Sequence, residues 1–220
     1  MIKKEIYKRI LTSLVLLPII IFSIFSDSLF FNIILLATFF LASYEWYNIS
    51  KKSFTYLFIG FSIIITSIFS AFFLRGSDNT SQQLFLWLLL IVIFSDTGGY
   101  ISGKIIGGKK LTKISPNKTI SGMIGSYAFA ILPIFVIYVL NDLKIVIFEQ
   151  LTLSIKTLIL SLIFSLISQF GDLTVSYCKR KNKVKDTGNV LPGHGGLLDR
   201  IDGLIFLLIF AAILKFAQII

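Results

Sequence analysis

A chain of 220 residues that is 55% hydrophobic, holds 22 phenylalanines and is only 15% charged has too little polar surface to coat a soluble domain, which leaves a membrane-embedded protein. Its one cysteine, Cys178, excludes an intramolecular disulfide framework. In so apolar a chain the net charge of +10 points to a membrane surface or an anionic substrate rather than to nucleic acid.

Seven apolar segments are candidate membrane spans, at about 10–26, 28–44, 55–75, 84–98, 119–140, 152–171 and 203–219. They predict an all-α, polytopic membrane protein, a single integral-membrane domain over 1–220. Residues 1–93 hold the N-terminal spans, and 94–220 form the half that carries the polar loops and whatever chemistry the chain performs. The first span follows Lys3, Lys4, Lys8 and Arg9 but lacks the small-residue cleavage site of a signal peptide. It meets the second through Ser26-Asp27-Ser28, as a tight hairpin or a pair of short helices. The fourth is short, and the count rises to eight if 99–108 re-enters the membrane. With the N-terminus in the cytoplasm, all but four of the 21 Lys and Arg residues fall on the inner side. The four are Arg75 and Lys144 in outer loops, and Lys156 and Lys215 near outer span ends, where they snorkel. Apolar residues run all round each span, so periodicity does not say which faces pack. The chemistry is left to two cytoplasmic loops, 99–118 and 172–202.

The first loop opens with Asp96 at the end of a span. A carboxylate there is costly and implies function, unless it simply ends the helix in water. Gly98, Gly99, Gly103, Gly107 and Gly108 let backbone approach a ligand or merely allow turns. With five lysines, they form a candidate phosphate cradle. Ser115-Pro116-Asn117-Lys118-Thr119 reads as a helix start: Ser115 at the N-cap, Pro116 in the first turn, and Lys118 and Thr119 at an anion-favouring helix end.

The second loop begins at Asp172, again at membrane depth, and continues through the basic run of 179–185. Asp199 and Asp202, three apart, share a face at the start of the last helix. With Asp172 arriving from another span they make a candidate Mg²⁺ site, since magnesium takes a few hard carboxylate oxygens and leaves room for water and phosphate. The alternative is that they cap the helix and favour its dipole. His194, between Gly193 and Gly195-Gly196, has no second His or Cys for a zinc site. It reads as a phosphate or base contact, or as a hydrogen-bonder in a glycine turn. Cys178 points into apolar surroundings.

Residues 176–202 resemble the signature of the phosphatidate cytidylyltransferases, or CDP-diglyceride synthetases. Ser176, Lys179-Arg180, Lys185-Asp186, Gly188, Leu191-Pro192, His194-Gly195-Gly196, Asp199-Arg200 and Asp202 fall at its positions. Asp96-Thr97-Gly98, Tyr100, Gly103, Ser115-Pro116, Lys118-Thr119 and Gly122 are similar to the family's other loop, and Glu45-Trp46 to a further feature. Cys178, Val175 and Ser121 depart from the pattern, the last two where glutamates are usual.

The resemblance implies transfer of the cytidylyl group of CTP to phosphatidate, giving CDP-diacylglycerol and pyrophosphate, at the cytoplasmic face of the cell's inner membrane. It implies that Asp172, Asp199 and Asp202 bind the metal, Mg²⁺. Lys179, Arg180, Lys185 and Arg200 are expected on the triphosphate and lipid phosphate, and Asp186 is expected among the catalytic residues with them. Asp96, Ser115, Lys118, Thr119 and Ser176 are expected to complete the substrate site, and His194, Gly195 and Gly196 to shape the nucleotide pocket. Homodimer formation is left open. A CTP-dependent lipid or polyprenol kinase and an anion transporter are the competing readings.

Overall fold

The computed structural model describes residues 2–112, 114–144, 151–193 and 195–220. Among them lie eight α-helices and no strand: α1 Ile2–Phe25, α2 Ser28–Ser50, α3 Phe54–Arg75, α4 Asn79–Ile105, α5 Ile120–Ala130, α6 Leu132–Asp142, α7 Ile155–Lys181 and α8 Leu198–Phe216. Five are long and apolar enough to cross a membrane: α2, α3, α4, α5 with α6 taken together, and α7. The apolar part of α1 (Leu11–Phe25) is shorter, and α8 carries charge in its first turn. All seven predicted segments therefore have a helical counterpart. The fifth breaks at Ile131 because Pro133 sits in the first turn of α6, where it has no N–H to continue the ladder from α5. Large apolar side chains such as Phe22, Phe58, Phe69 and Phe170 face outward, as a bilayer permits and water does not.

Three sequence expectations are corrected. The stretch 99–108 forms no separate re-entrant segment, because α4 runs unbroken through most of it to Ile105; this leaves seven helical counterparts and shortens the first loop to 106–119. Gly98, Gly99 and Gly103 accordingly cradle no ligand. They face Gly122 and Gly125 of α5 so closely that a Cβ on Gly125 would stand 2.8 Å from the Gly98 carbonyl oxygen. Finally, α5 starts at Ile120 rather than after Ser115. Thr119 is its N-cap, its hydroxyl accepting from Gly122 N at 3.0 Å. Ser115 instead accepts from Lys118 N in a turn, which the Lys110–Thr119 bridge holds closed.

The core is built on Trp87 of α4 and Phe164 of α7, edge-on with ring centroids 5.6 Å apart, with Ile24, Leu74, Leu88, Ile91 and Leu207 around them. Arg75 closes the end opposite the loops. Fully buried, it donates to the carbonyls of Ile24, Ser26 and Gly76 and to Ser28 Oγ, which satisfies the guanidinium and ties α3 to the α1–α2 turn.

α7 carries a feature that determines where the site lies. Ser161, Ser165, Ser168, Asp172, Ser176 and Lys179 follow one another at spacings of three or four residues, one helix face. The serines and Lys179 are buried. Ser165 shares a hydrogen bond with Ser95 of α4 at 2.7 Å. Small residues let α8 come close: a Cβ on Gly203 would meet Ser168 Oγ at 2.4 Å, and one on Gly171 would meet the Asp202 carbonyl at 2.9 Å. That close approach brings the aspartates of the two helices together.

Candidate active site

Both loops, the C-terminal ends of α2, α4 and α7 and the N-terminal ends of α5 and α8 gather at one end of the bundle. α1 joins them through Thr12, whose hydroxyl donates to the Pro192 carbonyl at 3.0 Å. Asp172, Ser176 and Lys179 project from one face of α7. Ser176 Oγ donates to Asp172 Oδ1 at 3.2 Å, and the other carboxylate oxygen pairs with Lys118 from the first loop. Asp202, buried in the first turns of α8, accepts from Gly203 N at 2.9 Å. Asp96, at the end of the apolar stretch of α4, completes a triangle of charge. It repels Asp172 and is attracted by Lys118 and Arg200, while Asp202 feels repulsion from Asp172 and Asp96 and attraction from Lys179. The chain therefore draws three carboxylates from three helices toward the same end of the bundle, near enough to feel one another's charge.

Asp199 belongs to a different arrangement. Its Oδ1 accepts from Lys179 Nζ at 2.7 Å, and its Oδ2 from Thr187 N at 2.9 Å and Gly196 N at 3.2 Å. Burial pushes the Asp199 carboxyl up, but the Lys179 ammonium and the two amides outweigh it and hold the group below the usual carboxylate range. Asp172, Asp199 and Asp202 are thus not assembled as a three-carboxylate cage. Among the described residues no group of three or more His, Cys, Asp or Glu side chains is tight enough to hold a metal. Both oxygens of Asp199 are engaged by Lys179 and two backbone amides, while those of Asp172 meet Ser176 and Lys118.

The residue that organises the second loop is Glu45 at the end of α2, quoted in the sequence only as part of a motif. It is completely buried. Its carboxylate accepts from Thr187 Oγ1 at 2.7 Å and from the amides of Leu197 and Leu198 at 2.8 Å. Those amides open α8, so a side chain from another helix does the work of an N-cap. Gly196 leaves room for it: a Cβ there would stand 2.6 Å from Glu45 Oε2. Sequence held one signal, a glutamate at the end of an apolar span, of the kind that drew attention to Asp96.

Lys104, Lys109, Lys110, Arg180, Lys185 and Arg200 ring the site as exposed cations, and Asp186 is exposed among them. His194 lies outside the described residues. Its neighbours Leu191 and Gly195 pair through two backbone hydrogen bonds, with Gly193 and Gly195 at positive φ. Behind the charges opens a cavity of about 330 Å³ between α1, α2, α3, α4 and α8, with Asp96 and Arg200 among its lining residues and the rest mostly apolar.

A charged mouth over an apolar cavity suits an amphiphile, and comparison with known proteins agrees. Residues 51–217 match the model of the cytidylyltransferase family. The chain belongs to the cytidylyltransferase family. It is similar to proteins named phosphatidate cytidylyltransferase from Rickettsia felis (37% identity over 207 residues, 92% of this chain and 89% of the relative) and Rickettsia conorii (36% over 217 residues, 97% and 92%). The protein of that name from Staphylococcus aureus strain COL is 38% identical over 165 residues, 73% of this chain and 60% of the relative. In this cytidylyltransferase the family match starts after α2 and so omits Glu45, although the loop it fastens lies within the match. Ser121, at a position where the resemblance leads one to expect a glutamate, donates its hydroxyl to the Gly107 carbonyl.

Proposed function

We propose that the protein transfers the cytidylyl group of CTP to phosphatidate, releasing pyrophosphate and CDP-diacylglycerol, on the cytoplasmic side of the cell's inner membrane. The observation that carries this reading is the junction of acidic and basic side chains on α4, α7 and α8 with an apolar cavity running into the bundle. Such a junction takes a polyanion from water and a lipid from the membrane at once. The names of the relatives agree. The orientation rests on the basic residues: the first turns of α1, both loops and the 51–52 turn share one end, and positive charge favours the cytoplasm.

Asp172 and Asp202 are the residues that would hold Mg²⁺, with Asp96 beside them. Hard oxygen donors that repel one another suit a divalent cation that fills its other positions with water and phosphate. Mg²⁺ bound there would neutralise triphosphate charge and polarise the α-phosphoryl group. The chain's own residues account for the rest. A phosphate oxygen of phosphatidate is already anionic, so it needs no strong base to attack the α-phosphorus as pyrophosphate leaves. Catalysis is then positioning and charge neutralisation. Lys118 and Arg200 lie where they can orient the lipid phosphate. Arg180, Lys185 and the exposed loop lysines would draw in the triphosphate, and Lys179 with Asp199 keeps the second loop folded over it. Release of Lys118 from Asp172 as substrate and metal bind would turn a resting ion pair into a phosphate contact.

Purified protein given CTP, phosphatidate and Mg²⁺ should release pyrophosphate and form CDP-lipid. Release of CDP without pyrophosphate would instead indicate a kinase, and solute flux without nucleotide turnover a transporter. Asp202→Asn should lower turnover at least ~100-fold in a folded protein; near-normal turnover would remove Asp202 from the metal site.

A further inference from the structure

The cavity behind the charges has a definite end. On α4 its lining runs from Asp96 at the mouth back to Phe85, eleven residues at ~1.5 Å each, or about 16 Å. Half of a ~30 Å hydrocarbon core is ~15 Å, the depth of one leaflet and so of one extended acyl chain. At the far end the rings of Phe31 and Phe85 meet edge-on, centroids 5.5 Å apart and planes at 88°. Phe31 is held from behind: the Arg75 guanidinium lies 5.1 Å from its ring centroid. Arg75 is in turn fixed by its hydrogen bonds to the α1–α2 turn. A floor made of one mobile aromatic would yield to a longer ligand, whereas one nailed by a buried arginine does not.

We infer that Phe31 and Phe85, backed by Arg75, set the length of the phosphatidate acyl chain that this site accepts. This rests on the proposed function and deepens it. The occupant is one fatty-acyl chain of the lipid substrate, because Arg200 at the mouth complements a lipid phosphate and the depth behind it matches one leaflet. With the chain end against the floor, the phosphate stands level with Arg200 and Asp96. A chain too long for the cavity lifts the phosphate away from these residues, and one too short leaves apolar wall unfilled. The floor therefore discriminates between lipids that carry the same headgroup.

The experiment compares kcat/KM for phosphatidates of graded chain length, presented in mixed detergent micelles to wild type, Phe31→Ala and Phe31→Trp. Lowering the floor should raise the long-over-short ratio about tenfold, the effect of a few methylenes in an apolar pocket. Raising it with Trp should move the ratio the other way. Opposite shifts from two substitutions at one position are not produced by general destabilisation. Ratios unchanged in both variants, with turnover intact, would overturn the inference alone, and so would equal losses on every chain length, the pattern of a cavity filled by bulk lipid. Absence of CDP-lipid from wild type on every phosphatidate would defeat the functional reading and this inference with it.

Discussion

Glu45 and Asp199 are both carboxylates that fasten the second loop. Glu45 is out of water with three donors around it, and charge-assisted bonds of this kind contribute ~1.5–3 kcal/mol each. Glu45→Gln turns one acceptor oxygen into a donor that faces other donors. We expect faster amide hydrogen exchange at Leu197 and Leu198 and turnover lower by about tenfold or more; unchanged exchange would show that the loop is held elsewhere. Asp199 allows a pH test. Its folded pKa is depressed, so the stability it contributes is fully present above the unfolded value of ~3.9 and is lost only as pH falls through the lower folded value. Amide protection of Thr187 and Gly196 should therefore persist down to about pH 4 and fail below it. In Asp199→Asn, which leaves Lys179 without its buried partner, that protection should be weak at every pH. Protection in the variant equal to wild type would exclude the ion pair as the fastening.

At the scale of elements, the glycines show what the sequence concealed. Gly98, Gly99 and Gly103 lie near lysines and look like a phosphate cradle, but α4 continues through them and uses them to meet α5. Glycine has the same appearance in both roles; only the partner at Gly122 and Gly125 separates them, and that partner lies 19 to 27 residues further along the chain. The serine seam of α7 was legible in principle. Its members recur at helical spacing, yet in an apolar helix the eye follows the apolar residues, which surround it. The aspartates stood out for the opposite reason, since charge inside a span has few explanations. Asp172 and Asp202 do adjoin, but the engagement of Asp199 by Lys179 depends on a loop fold that no spacing rule conveys. Gly125→Leu should push α4 from α5 and shift Asp96 relative to Lys118. A lower thermal midpoint, by an overpacking cost of ~1–3 kcal/mol, should accompany a disproportionate loss of turnover. A midpoint equal to wild type would mean that the contact is looser than described.

For the molecule as a whole, charge and shape agree on one direction. The basic loops and the aspartates share one end of the bundle, while Arg75, Lys144 and Lys215 belong to the other. Lys215 is engaged there, donating to the Leu74 carbonyl at 3.2 Å and Ser81 Oγ at 2.8 Å. Topology can be read with two cysteines in a Cys178→Ala background. A membrane-impermeant maleimide added to intact cells should label Lys144→Cys and spare Lys109→Cys. The reverse pattern would put the site on the outer face, away from cytoplasmic CTP.

The clamp made by Glu45 also bears on how this protein can be divided. The match to the family model begins at residue 51, although similarity to the Rickettsia proteins spans nearly the whole chain, and that match invites a truncated version starting at α3. Such a fragment would retain every motif residue of the two loops and lose the carboxylate that receives the first amides of α8. Its second loop would have to find another anchor or come loose, so the smallest working unit is larger than the stretch that the family model matches.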